Sequence, residues 1–302
     1  MRTPMPATGE QFEIVSGDTR AVVTEVGAGL RSLVVGSRPL VETFAERDRP
    51  PKGAGTVLVP WPNRVAAGRW TWAGAVQQLA LSEPAAGNAI HGLLRFTLYR
   101  VGERAGDAIT LHATVAPQPG WPVPLRTSVR YAVAAAGLTV THTVTNAGAA
   151  AVPFGVGAHP YVRAGGSATD DCRITISATS VLPLDGGIPT GPARPLEDVP
   201  EVDLRGRSMA GVVVDHAFGG CAPAAGDDRV RHRLAGPDGH VEVWAEPAFG
   251  FVQVFTPAEF PGHGRAVAIE PMTCPPDALN SGAGLIDLAP GETWNGSWGI
   301  TG

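Results

Sequence analysis

Alternation of apolar and polar residues, repeated along the chain between glycine- and proline-rich breaks, most limits what this sequence can fold into. Over residues 109–115, Ile109, Leu111, Ala113 and Val115 share one parity, and Thr110, His112 and Thr114 the other. Residues 138–145 alternate as cleanly, with threonine at every second position. Successive strand side chains point to opposite faces, so such segments are strands with one buried face. Threonine suits the other face. The same reading predicts strands over 12–15, 21–26, 30–35, 126–133, 173–178, 240–245, 251–256, 266–270 and 293–300. Helical periodicity fails everywhere, because a glycine or proline interrupts each apolar stripe. With 39 Gly and 28 Pro spread along 302 residues, the pattern predicts many short elements joined by turns. Strand after strand without intervening helices implies an all-β fold, a large antiparallel β-sandwich of two extended sheets. We read residues 1–302 as one domain, with 221–228 as a surface loop.

Composition narrows the function. The net charge of −5 and the scattered basic residues argue against a nucleic-acid partner, which calls for a basic stripe. Cys172, Cys221 and Cys274 are odd in number and far apart, which suggests neither a disulfide framework nor a zinc knuckle. Residues 1–10 lack the apolar core of a secretory signal. The most apolar stretch, 147–162, is too short for a membrane span and is broken by Gly, Pro and His. The expectation is a cytoplasmic protein with no membrane partner. Phosphate-cradling glycine loops, the Gly-x-Ser-x-Gly elbow and His-Glu-x-x-His are all missing. The eight histidines show no close ligand spacing, so the sequence calls for no metal.

Four blocks set ionisable residues among Gly, Pro and apolar neighbours: Pro60-Trp-Pro-Asn-Arg64, Asn88-Ala-Ile-His-Gly92, Gly157-Ala-His-Pro-Tyr161, and Ala268 to Asp277 around Glu270. Each has a plain structural reading. His159-Pro160 is a turn signal. Glu270 closes an apolar run and could be a solvated strand end, although a carboxylate there is costly if buried unpaired. Asn63-Arg64 reads as a turn with a surface arginine, and His91 as a turn residue before Gly92. Asp215 could orient His216 or cap a loop. Gln253, on one face with Phe251 and Phe255, could be a buried amide. His142 belongs with Leu138, Val140 and Val144 in a core, while His112 belongs on the surface.

Taken in order, the blocks resemble the aldose 1-epimerase (galactose mutarotase-like) family, over about Arg20 to the end of the chain. The resemblance implies the galactose mutarotase-like supersandwich fold and a sugar substrate. It makes Glu270 the catalytic base, His159 the acid and His91 a second active-site histidine. It also implies that Arg64, after Asn63, binds the sugar, that Asp215 holds ring hydroxyls, and that Gln253 is a sugar contact. Trp61, Tyr161 and Phe218 lie beside these motifs and are candidates for stacking on the sugar's C–H face. Pro62 stands where the family often has glycine, and the C-terminal block departs from the galactose enzymes, so the substrate stays open.

Anomer exchange explains why such a set is needed. A base takes the proton of the C1 hydroxyl while an acid protonates the ring oxygen. The opened chain rotates about C1–C2 and closes on the other carbonyl face. Histidine and glutamate suit these roles near neutral pH. No cofactor is needed. The expected geometry has Glu270 and His159 facing each other across a pocket one pyranose wide. Two alternatives stand beside a free aldohexose. One is a mutarotase for an anionic sugar, a hexose 6-phosphate or 6-sulfonate, with Arg31, Arg69 and Arg95 as candidate cations. The other is a non-catalytic carbohydrate-binding sandwich.

Overall fold

The computed structural model describes residues 6–302. Almost everything regular in it is antiparallel strand. The longest helix-like piece is the single turn Ala278–Ser281. No helix among the described residues is long and apolar enough to cross a membrane.

Two large sheets organise the chain. The nine-stranded sheet runs, in spatial order, Arg100–Arg104, Ala108–Val115, Leu125–Ala134, Gly137–Asn146, Thr293–Thr301, Gly239–Ala245, Val230–Gly236, Arg173–Thr175 and Arg205–Ser208. Its long central strands show the alternation in burial that the sequence shows in polarity. Leu125, Thr127, Val129, Tyr131 and Val133 are buried, whereas Arg126, Arg130 and Ala134 are exposed. In the eight-stranded sheet Asp215–Gly219, Phe251–Phe255 and Val267–Met272 lie side by side, and Gly157–Ala158 and Tyr161–Val162 both pair with the last.

One apolar cluster takes in Val129 and Val140 from the first sheet and Val252, Val254, Val267 and Ile269 from the second. Those four residues have one parity. The opposite parity of the same strands, Gln253, Phe255, Ala268 and Glu270, points away from this core. That second face is covered too, since every residue of Val267–Met272 is buried. A smaller cluster of Phe44, Ala54, Tyr161, Phe260, Ala266 and Ala268 lies there. The site follows from this arrangement: a polar residue of the outer parity is sealed in rather than solvated.

All eleven expected strands are present, with shifted ends. The 173–178 segment keeps strand pairing only over Arg173–Thr175. The 266–270 strand runs on to Met272 through Pro271, so Glu270 stands within a strand rather than at its end. Three strands of the nine-stranded sheet carry little periodic signal, the short and wholly polar or glycine Arg205–Ser208 among them. All of Arg100–Arg104 is exposed, so it has no apolar face to reveal it. Val230–Gly236 spends an inward position on His232, which is buried. His142 lies in the core, where its Nε2 accepts from Trp298 Nε1 at 3.0 Å, and His112 is exposed.

Candidate active site

Strand register brings the sheet-borne residues together. Gln253 lies opposite Glu270, and Ala217 opposite Gln253. Directly opposed residues share a face, so Gln253 and Glu270 project to the same side. Asp215, opposed to Phe255 on that side, projects with them. On the other flank of Glu270, Gly157 pairs with Met272 and Tyr161 with Ala268. Both pairings keep one register, which carries His159 to the position opposite Glu270. The histidine interrupts the ladder, and its backbone turns instead to Thr56 and Gly55. Its Nε2 lies 3.4 Å from Glu270 Oε1.

His159 and Glu270 are therefore neighbours on one wall, not opponents across a pocket.

A loop-borne half completes the site. Arg64–Val65 pairs with Ala89–Ile90 in a two-stranded ribbon. Asn63 and His91 flank it in left-handed backbone, with φ of 54° and 62°. They lock onto each other: His91 N–H donates to the Asn63 carbonyl at 2.9 Å, and Asn63 N–H donates to His91 Nδ1 at 3.2 Å. An imidazole accepting at Nδ1 carries its proton on Nε2, so His91 is left as a neutral donor. Gly92 follows with φ 69°, and a Cβ there would collide with the Val59 carbonyl. The His-Gly pair is thus a steric requirement of this turn. Asp277 ties the C-terminal block to the ribbon. Its Oδ1 accepts from Ala66 N–H at 2.9 Å, and its own N–H donates to the Arg64 carbonyl at 2.7 Å.

The two halves enclose a cavity of about 250 Å³. That lies just below the ~300–1,000 Å³ of clefts for drug-sized ligands and suits one small ring. Glu270, His159, His91, Arg64, Asn63, Asp215 and Gln253 all line it. Lys52, Ser82, Glu83, Ile90, Arg95 and Phe255 complete the lining. Of these only Arg95 was a candidate from sequence. Glu83 is the most consequential addition: it grips Arg64 in a bidentate pair at 2.7 and 2.9 Å. Ser82-Glu83-Pro84 looks locally like an ordinary surface turn, and nothing short of the fold connects it to Arg64.

Trp61 and Tyr161 do not line the cavity, which corrects the expectation that they contact a sugar. Trp61 packs on Trp121 in the main core, with ring centroids 6.0 Å apart. Tyr161 belongs to the smaller cluster and stacks against His159 at 5.1 Å. It backs the imidazole instead of facing the ligand. Phe218 is likewise fully buried in the main core, and Phe255 is the aromatic that reaches the cavity. Arg31 lies in a different recess, where it donates to the Phe44 carbonyl. Arg69 is exposed on Arg69–Trp72 and does not line the cavity.

Burial sets the protonation of the pair. Desolvation raises the Glu270 carboxyl well above its ordinary value, and Asp215 adds to the rise while Arg64 opposes it. Desolvation pushes His159 down to about 4. Both shifts disfavour a separated carboxylate and imidazolium, so the two groups titrate as one unit holding one proton between them. His91 is lowered as well, chiefly by burial, which keeps it neutral. Glu270 Oε2, His159 Nδ1 and Gln253 Oε1 are buried without hydrogen-bond partners among the described residues. Gln253 Nε2 donates to Asp215 Oδ1 at 2.6 Å. Unsatisfied polar atoms are costly in an interior, and three of them around one cavity mark a place built for a polar ligand.

The antiparallel two-sheet fold is that of the galactose mutarotase-like structures. This chain belongs to the aldose 1-epimerase family, whose model matches residues 10–301, and it is an isomerase of that sugar-acting family. The uncharacterized protein YihR of Escherichia coli (strain K12) is 32% identical over 295 residues, covering 96% of this chain and 92% of YihR. A galactose mutarotase-like protein from Clostridium acetobutylicum superposes with a TM-score of 0.82 at 18% identity, covering 95% of this chain and 93% of that one. The GalM/aldose epimerase homologue from C. elegans gives 0.82 at 18% identity, over 97% and 98%. At such identities the structural likeness carries the fold.

Proposed function

We propose that this protein interconverts the α and β anomers of a free aldohexose, the whole chain working as one domain. Glu270 is the base that takes the C1 hydroxyl proton, and His159 is the acid that protonates the ring oxygen. Closure on the opposite carbonyl face reverses both transfers. The observation that carries this reading is the 3.4 Å contact of His159 Nε2 with Glu270 Oε1 on the wall of a ring-sized cavity. For the opening step the shared proton sits on His159, which gives it to the ring oxygen while the Glu270 carboxylate takes the C1 proton. The pair still holds one proton, now on Glu270, and closure returns it, so a complete turnover leaves the site unchanged. Arg64 and His91 donate to sugar oxygens, and Asp215 with Gln253 accepts from ring hydroxyls. A charge-assisted bond of this kind contributes about 1.5–3 kcal/mol.

A second reading, an anionic sugar, draws support from Lys52 and Arg95 in the lining. Against it, Glu83 takes up Arg64 in the bidentate pair and Asp215 offsets one of Lys52 and Arg95, which leaves a single uncompensated cation in the lining. The two cations are thus half offset, which favours a neutral ligand. A purely binding role fits poorly with a buried carboxyl held against an imidazole.

The test is anomer exchange of fresh α-glucose and α-galactose, followed by polarimetry and NMR, with the 6-phosphates in competition. Acceleration of a neutral hexose supports the proposal. Acceleration of the phosphates alone moves it to the anionic class, and none on a broad aldose panel rejects it.

A further inference from the structure

Tyr161 is fully buried, and its ring stacks on the imidazole of His159 with centroids 5.1 Å and planes 25° apart. The ring is fixed from several directions. Its backbone pairs with Ala268, on the strand that carries Glu270, and its carbonyl accepts from Glu42 N–H at 2.8 Å. Phe260 packs on the ring at 4.8 Å and Phe255 at 6.5 Å. The buried Glu42 carboxylate, in turn, meets Arg163 Nη1 at 3.1 Å and His263 Nδ1 at 3.2 Å. His263 comes from the same connection as Phe260, so this cluster clasps the aromatic packing in place. The Tyr161 hydroxyl lies 3.5 Å from the Lys52 carbonyl. Burial raises its phenol above the ordinary value, which leaves a neutral ring and no source of protons.

We propose that Tyr161 is a positioning residue for the acid: its ring face holds the His159 imidazole in place and favours the imidazolium that protonates the sugar's ring oxygen. The proposal rests on the mutarotase reading, in which His159 is that acid. An aromatic ring is negative on its faces and positive at its edge. A cation within about 6 Å of the centroid is attracted to the face, most strongly where water is excluded. His159 is 4% exposed, so little solvent screens the contact. The charged or titratable side chains around the imidazole are few. They are Glu270 at 3.4 Å, His91 at 5.4 Å between ring centroids, Arg95, and the exposed Lys52, on the turn whose Gly53 borders the imidazole edge. Burial, and after it Arg95, oppose a positive imidazole. The Glu270 carboxylate and the Tyr161 ring favour one. The ring thus tips the shared proton towards His159, the arrangement from which opening starts. An aliphatic side chain would pack there without that electrostatic face.

The experiment measures kcat and KM for anomer exchange across pH, with an NMR titration of the histidine ring nitrogens on the same proteins. These are the wild type, Tyr161→Phe, Tyr161→Leu, and a chain with pentafluorophenylalanine in place of Tyr161. The fluorinated ring keeps its shape and reverses the charge on its faces. Tyr161→Phe stays within about two-fold of wild type. Tyr161→Leu and the fluorinated ring lower kcat about 5- to 30-fold with KM little changed. Both also move the His159 titration and the acid limb of activity to lower pH, because the imidazolium has lost a partner. Equal losses in Tyr161→Phe and Tyr161→Leu would assign the effect to the hydroxyl and overturn the proposal. A fluorinated ring as active as phenylalanine, with an unmoved limb, would make Tyr161 plain packing and overturn it too. That comparison decides the matter even where Tyr161→Leu fails to fold. Absence of anomer exchange in the wild type rejects the mutarotase reading, whereas an unmoved His159 titration rejects the role of the ring alone.

Discussion

The two halves of the cavity are built differently. Glu270, Gln253 and Asp215 hang from neighbouring strands of one sheet, where the ladder fixes each side chain against the next, and His159 sits in the short break between two strands that pair beside Glu270. Asn63, Arg64 and His91 sit on a two-stranded ribbon with left-handed corners, held by Gly92, Glu83 and Asp277. Proton transfer depends on positions of a few tenths of an ångström, and a sheet supplies that rigidity. Hydrogen bonds to sugar hydroxyls tolerate more, and a buttressed turn suffices. Damage to the sheet half should therefore appear in turnover, and damage to the loop half in affinity and stability.

Glu270→Gln tests the sheet half with the largest expected effect. It keeps the volume and removes the proposed base, so kcat falls about 10²–10⁴-fold. The circular-dichroism spectrum and Tm stay close to wild type. A variant that remains active would move the base elsewhere.

Glu83→Ala probes the loop half. Freed from its bidentate partner, Arg64 loses its preset orientation, and KM rises about ten-fold while kcat changes less. A drop in kcat with unchanged KM would place Glu83 in the proton chemistry and dissolve the division.

Gly92→Ala attacks the turn itself. The added methyl meets the Val59 carbonyl and has to adopt φ 69°. The expected cost is about 2 kcal/mol or more, read from denaturant melts. An unchanged midpoint would mean the turn relaxes freely.

The subtlest test is the pH profile. The pair is competent while it holds one proton. Activity is lost as pH falls through about 4, where His159 takes a second proton. It is lost again as pH climbs through the raised Glu270 value, where the last proton leaves. Asp215 helps to raise Glu270, so Asp215→Asn should move the alkaline limb to lower pH, apart from any loss in rate. An unmoved limb would show that the carboxylate does not act through Glu270.

Much of this was legible beforehand. The strands 109–115, 126–133 and 138–145 follow from alternation alone, because burial of one face demands it. The His159 and Glu270 blocks stand out because ionisable groups rarely adjoin such apolar runs. The way Trp61 and Tyr161 face is not legible in the sequence, for a physical reason. Proximity in sequence to a motif says nothing about which face an aromatic takes, and theirs is the packed one. Lys52 and Glu83 carried no local signal, since an exposed-looking turn residue becomes a wall only when a distant strand closes over it.

By itself the sequence determined which segments are strands, which parity is apolar, and which chemical groups the chain possesses. Those are local properties, decided by the period of the backbone and the hydration of each side chain. The tertiary structure alone decided that the imidazole at 159 and the carboxyl at 270 are cross-strand neighbours. Register, not composition, selects who stands opposite whom, and a slip of one residue would turn Glu270 into the core.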